Sequence, residues 1–174
     1  MLTRRAGLRA HGALLRAERM HDDKFRDPIE ARKKAMDYLA RREHGRGELL
    51  DKLARFGFDA DVADEAVAQL VDDGLQSDAR FAEAFVRSRI NQGKGPVRIR
   101  ADLRERGLAS SDVDLALEEA NADWYALARD VRLKKFGPDT PIEFKEKARQ
   151  MRFLQSRGFE PDQIQTAVSS DGVF

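Results

Sequence analysis

The chain has 174 residues, no cysteine, a formal net charge of +1, and 36% charged against 7% aromatic residues. This composition excludes a disulfide framework and a thiolate metal site, and it argues against one thick aromatic core. No apolar run approaches the roughly 20 residues a membrane-spanning helix needs; Ala13-Leu14-Leu15 is too short for a signal peptide's apolar region, so the expected location is the cytoplasm.

In chain order, residues 1–27 carry Arg4, Arg5, Arg9, Arg16 and Arg19 among poorly periodic apolar positions. They read as a basic arm or a loosely attached extra helix. Pro28 suits a first helical position, and Ala31, Ala35, Tyr38 and Leu39 mark the inner stripe of a helix that Gly45 and Gly47 break. A second helix carries Leu49, Leu50, Leu53 and Phe56, and a third runs from about Asp61 to Asp73 and stops at Gly74. Ser77 or Asp78 is expected to cap the next helix, with Phe81, Phe85, Val86 and Ile90 on one face. The turn from Gly93 to Pro96 leads to a helix bearing Val97, Ile99 and Leu103, and Ser110 or Ser111 is expected to cap its successor. The last set begins near Trp124 with Leu127, Val131 and Phe136, breaks at Gly137-Pro138, and resumes around Phe144, Ala148, Met151 and Leu154. Pro161 starts a closing helix with Ile164 and Val168. Trp124 and Phe136 are expected to pack between units.

One pattern organises these elements. A leucine, a glycine four residues later and then a large hydrophobe occur as Leu53-Gly57-Phe58, Leu103-Gly107-Leu108 and Leu154-Gly158-Phe159, so the glycines stand 50 and then 51 residues apart. A glycine in the left-handed region ends a helix cheaply, and the hydrophobe behind it can fold back onto the last turn. The expected fold is all-α, a tandem array of three three-helix repeats at residues 28–77, 78–122 and 123–171, forming an elongated, curved solenoid.

The small net charge hides segregation. From Asp59 to Asp78 there are seven acids and no base, a net −7; from Arg87 to Arg106 there are seven bases and two acids, a net +5. Five acids without a base follow from Asp112 to Asp123, and then nine bases against four acids from Arg129 to Arg157. Alternation locked to the repeat would gather like charges on one face, whereas the plainer reading is a set of solvated helix surfaces.

Residues 78–108 resemble the central signature of the RecX family. The resemblance rests on Arg80-Phe81-Ala82, Phe85-Val86-Arg87-Ser88-Arg89 and Gly93-Lys94-Gly95-Pro96-Val97-Arg98-Ile99. It extends more loosely through Arg46-Gly47-Glu48-Leu49 and Arg157-Gly158-Phe159 to residues 30–169. The resemblance implies a non-catalytic regulatory protein of three tandem three-helix repeats. Such a protein would bind the RecA recombinase, lie along the groove of its filament on single-stranded DNA, and restrain its ATPase, strand-exchange and co-protease activities. It implies no cofactor. A monomer and a possible direct contact with single-stranded DNA complete the expected partner set.

The family provides no short catalytic motif, so contact residues are chosen by charge and placement. The densest group is Arg87, Arg89, Lys94, Arg98, Arg100 and Arg104, with Arg106 beside it. Because Arg100 and Arg104 are four apart, part of this set shares a helix face. Arg132, Lys134, Lys135, Lys145, Arg149 and Arg152, with Lys147 among them, extend it into the third repeat. Enzymatic readings find little support. His11, His21 and His44 lack metal-ligand spacing and triad partners. Gly93-Lys94-Gly95-Pro96 lacks the spacing and preceding strand of a phosphate loop. Two other readings compete. One is a helix-turn-helix DNA reader, disfavoured because its recognition helix would carry Asp59, Asp61, Asp64 and Glu65, or Asp112, Asp114, Glu118 and Glu119, towards phosphates. The other is a helical adaptor for a different protein.

Overall fold

The computed structural model describes residues 23–169; among them all regular structure is helical. Residues 1–22 of the expected arm lie outside the described residues. The helices are α1 (Pro28–Leu39), α2 (Arg46–Phe56), α3 (Ala60–Asp72), α4 (Asp78–Asn91), α5 (Pro96–Glu105), α6 (Ser110–Glu119), α7 (Trp124–Phe136), α8 (Phe144–Arg157) and α9 (Pro161–Val168). They fall into three sets of three, and the chain divides into two compact units, Met1–Ser77 and Asp78–Phe174.

Local chemistry sets the boundaries. Asp27 Oδ1 accepts the Ile29 amide at 2.8 Å ahead of Pro28, and Asp123 Oδ1 accepts the Ala126 amide at 2.9 Å at the start of α7. Each satisfies an amide that the first turn leaves without a helical acceptor. Glu160 and Gln163 form a capping box around Pro161. The second helix of every repeat ends alike: Gly57, Gly107 and Gly158 have φ of 118°, 81° and 88°. Beyond each, the amides of Phe58, Leu108 and Phe159 return to the carbonyls of Leu53, Leu103 and Leu154 at 3.1, 3.4 and 3.3 Å. That bond rotates each following hydrophobe into the core, where all three are buried.

The cores share a register. Leu49, Leu53 and Phe58 of the first repeat correspond to Ile99, Leu103 and Leu108, and the third helices contribute Ala63, Ala66 and Val67 against Val113, Ala116 and Leu117. In the third repeat Leu154, Phe159, Ile164, Ala167 and Val168 continue the series. Two core positions break it. Gln150 stands where Leu49 and Ile99 stand, and Arg132 occupies the first-helix position of Ala35 and Val86; both are buried.

Several details differ from expectation. Phe25, assigned to the arm, packs edge-on against Phe58 with ring centroids 5.5 Å apart, and its carbonyl accepts the Asp59 amide at 3.2 Å. Ala109, not a serine, is the N-cap of α6, and it contributes no side-chain hydrogen bond. Trp124 does pack against the second core, whereas Phe136 packs edge-on against Phe153 inside the third repeat, 5.3 Å between centroids.

Within the second unit, backbone meets backbone. The amides of Gly95 and Val97 at the start of α5 donate to the carbonyls of Arg157 and Gly158 at the end of α8, at 2.9 and 3.0 Å. The positive end of one helix dipole thereby receives the negative end of another. A Cβ on Gly95 would lie 2.3 Å from the Gly158 carbonyl oxygen, and one on Gly158 would lie 2.3 Å from Arg98 Cβ. Gly95 of the Gly93-Lys94-Gly95-Pro96 turn is therefore explained by close approach between repeats, while Gly93 has a φ of 70° and would set a Cβ 2.8 Å from the Val131 side chain.

Candidate partner-binding surface

The densest basic run of the sequence is largely engaged within the fold. Arg98 Nε lies 2.9 Å from Asp102 Oδ1, Arg89 Nε 3.9 Å from Asp102 Oδ2, and Arg106 Nη1 donates to the Asp102 carbonyl at 2.7 Å. The guanidinium groups of Arg89 and Arg106 also lie over the Phe85 ring, 4.5 and 4.8 Å from its centroid. Asp102 is thus a buried hub that ties α4 to α5. Arg100 faces the other way, with its Nε 3.1 Å from Asp114 Oδ1 on α6, and Arg87 pairs with Glu83 on its own helix. Two residues apart on a helix is about 200° of rotation, so Arg98 and Arg100 flank opposite sides of the buried stripe. They do not form one ridge.

The alternating charges follow the same logic in the first unit. Arg46 lies 3.2 Å from Asp64 and Arg32 2.8 Å from Asp73, each joining a leading helix to the acidic trailing one. Exposed pairs of this kind contribute little energy, about 0–1 kcal/mol. They do remove cations from the free surface.

In the third repeat, Arg132 is buried and not available to a partner. Its Nε donates to Gln150 Oε1 at 2.9 Å, and its Nη2 donates to the Asp139 carbonyl. Spacing placed it among surface cations because a charged residue on a helical period looks solvated unless its register is compared with Ala35 and Val86. Gln150 Nε2 donates in turn to Glu146 Oε1 at 3.0 Å. That bond, with the Arg149 guanidinium 3.0 Å away, holds Glu146 below the usual carboxylate range.

Lys94, Arg104, Lys134, Lys135, Lys145 and Arg152 make no ion pair among the described residues. The structure brings some of them together. Lys134, Lys135 and Arg157 line a cleft of about 520 Å³ whose apolar wall is Ile90, Leu127, Val131 and Phe153 and whose rim includes Gly93, just before Lys94. Arg157, part of the Arg157-Gly158-Phe159 resemblance but not one of the expected contact residues, lies with its guanidinium over the Phe153 ring at 5.3 Å, and its place four residues after Phe153 is the sequence signal for it. Lys145, Arg149 and Arg152 line a separate hollow shared with Glu143 and Glu146. Arg104 is exposed and lines neither. Among the described residues no cluster of histidine and carboxylate side chains could hold a metal ion, and no helix is long and apolar enough to cross a membrane.

Comparisons with known proteins point one way. Residues 31–70, 77–117 and 121–168 match, in order, the RecX first, second and third three-helix domains. "Regulatory protein RecX" of Halorhodospira halophila is 48% identical over 136 residues, 78% of this chain and 84% of that one. A Pseudomonas fluorescens protein of the same name is 44% identical over 145 residues, 83% and 94% of the two chains. A crystal structure of a regulatory protein RecX superposes with a TM-score of 0.69 at 25% identity, covering 80% of this chain and 70% of that one. RecX from Lactobacillus salivarius gives 0.67 at 23% identity, covering 84% and 96%, a likeness of fold.

Proposed function

The chain belongs to the RecX family, and from that premise we propose that it binds the RecA recombinase filament on single-stranded DNA and restrains its ATPase, strand-exchange and co-protease activities. It acts in the cytoplasm as a monomeric, non-catalytic binding protein. The observation that carries the reading is the ordered succession of three family domains along residues 31–168. The charge distribution supports it. Lys134, Lys135 and Arg157 rim an apolar cleft, and Lys94 follows the Gly93 turn at its edge. Lys94, Lys134 and Lys135 make no ion pair among the described residues, whereas Arg157 also donates to the Gln92 carbonyl at 3.4 Å; cations not paired internally are the ones an anionic nucleoprotein surface can use, because neutralising each phosphate releases counterions. Single-stranded DNA inside the filament is the proposed phosphate source.

A helix-turn-helix reading fits less well. Asp61 and Asp64 on α3, and Asp114 on α6, are exposed on the helices that would enter the major groove.

The test is DNA-dependent ATP hydrolysis by RecA, measured with increasing amounts of the full chain. The expected result is a dose-dependent fall in rate, complete at or below one chain per protomer. An unchanged rate at equimolar protein overturns the inhibitory reading.

A further inference from the structure

The cleft rimmed by Lys134, Lys135 and Arg157 is one half of a longer trough. A second cavity of about 630 Å³ adjoins it, and Ile90 of α4 with Leu127 and Asp130 of α7 line both. Along α7 the trough changes sign. Beyond Asp130 its walls carry Glu83, Glu119 and Asp123, and the one base among them, Arg87, is paired with Glu83. The floor is apolar, made by Ile90, Ala126 and Leu127. The surroundings do not reverse this polarity: no Lys or Arg occurs from Gly107 to Ala128, and Arg80 and Arg129 line neither cavity.

Acids elsewhere in the fold are matched, Asp73 by Arg32, Asp64 by Arg46 and Asp114 by Arg100. Those of the trough are not. Glu119 and Asp130 are exposed and make no ion pair among the described residues, although Lys134 stands one turn after Asp130. Asp123 accepts the Ala126 amide and has no cationic partner among them either.

From this arrangement we infer that the acidic half of the trough holds a protein segment that bears arginine or lysine and lays an apolar side on the floor. The inference rests on the functional reading above, under which the segment belongs to the recombinase protomer. Nucleic acid is the wrong occupant for this half, because carboxylates facing phosphates repel them. Arginine suits it well: its aliphatic stem can cover Ile90 and Leu127 while its planar head meets a carboxylate. The trough then reads the filament as a composite, protein at the acidic half and phosphate at the basic half, and so favours the assembled filament over either component alone.

The experiment titrates the full chain carrying Glu119→Gln, Asp123→Asn and Asp130→Asn onto RecA filaments assembled on single-stranded DNA, and separately onto the bare DNA. Asparagine caps a helix as aspartate does, so α7 keeps its start. The inference expects a melting temperature within about 2 °C of the parent's, filament affinity reduced about tenfold, and bare-DNA affinity unchanged or higher. If the triple variant melts early, Glu119→Lys with Asp130→Lys leaves the Asp123 cap intact and should weaken filament binding further while raising bare-DNA affinity. Filament affinity equal to or above the parent's in the folded variant overturns the inference. So does a parallel loss of bare-DNA affinity, which would make nucleic acid the occupant, or loss of a self-association seen in the parent, which would make it a second copy. The neutralisation is repeated in a chain whose Arg4, Arg5, Arg9, Arg16 and Arg19 are changed to Gln. An undiminished loss there supports a partner's segment, whereas no loss makes the chain's own basic N-terminal residues the occupant and overturns the inference. Failure of the unaltered chain to bind filaments sinks the functional reading and this inference with it; the acid variants can sink the inference alone.

Discussion

The carbonyl of Gly158 accepts the Val97 amide at 3.0 Å, and the same residue leaves no room for a side chain against Arg98. This junction joins the second and third repeats through backbone, where side-chain variation cannot loosen it. Because Gly95 has a φ of −83° that any residue tolerates, Gly95→Ala tests close approach without backbone strain. Its new methyl would meet the Gly158 carbonyl at 2.3 Å. Chemical denaturation should show a loss of about 1–3 kcal/mol, the usual cost of overpacking. A variant as stable as the parent would mean that the contact does not constrain the fold.

The buried polar pair of the third repeat makes a second prediction. Arg132→Ala leaves the Gln150 amide oxygen and the Asp139 carbonyl without their donor and opens a cavity, so it should cost about 3–5 kcal/mol. Replacing both partners by Met and Leu restores an apolar core of the kind at Val86 and Ile99 and should be neutral or stabilising by comparison. Equilibrium unfolding of the two variants checks the ordering. The reverse order would show that the pair is a source of stability.

His44 makes the stability of the first unit depend on pH. The ring is buried, its Nδ1 lies 3.0 Å from the Arg42 carbonyl, and its Nε2 has no hydrogen-bond partner among the described residues. Burial therefore lowers its pKa below the usual histidine value of 6.5, against the opposing effect of the Arg42 carbonyl. The unfolded chain then binds the proton more readily than the folded one. Stability contributed by neutral His44 is complete above pH 6.5 and declines as the pH falls below that value towards the folded pKa. Unfolding from pH 7.5 to 5, compared with a His44→Gln variant, should show the parent losing stability more steeply. Equal slopes would contradict it.

Charge reversal identifies the partner surface only where the cation is free. Arg98→Glu would set a carboxylate beside Asp102 and disturb the fold, so loss of activity there would be uninformative. Lys134→Glu with Lys135→Glu changes two exposed, unpaired residues at the cleft rim. The double variant should keep its melting temperature within about 2 °C, since surface changes away from specific contacts are small. It should inhibit RecA ATPase at least several times less well, with a shallower dependence on salt. Full inhibition would move the contact elsewhere.

Much of this was legible in the sequence. The three glycines with their flanking leucine and hydrophobe declare helix ends and core positions together, because one backbone conformation does both jobs. Pro28, Pro96 and Pro161 stand at helix starts, where their missing amide costs nothing. What escaped were pairings decided in three dimensions. Arg98, Asp102 and Arg106 lie four apart along one face, yet composition alone reads that face as basic surface and not as a buried hub. Arg132 and Gln150 were legible only by aligning repeats, since each is polar by type and interior by register.

The most direct test of the account is equilibrium binding of the labelled full chain to RecA filaments preassembled on single-stranded DNA, measured across a salt series. The account predicts saturable binding that weakens steadily as salt rises and weakens further with Lys134→Glu and Lys135→Glu. Absence of binding at low salt, or binding indifferent to both salt and those substitutions, would contradict it.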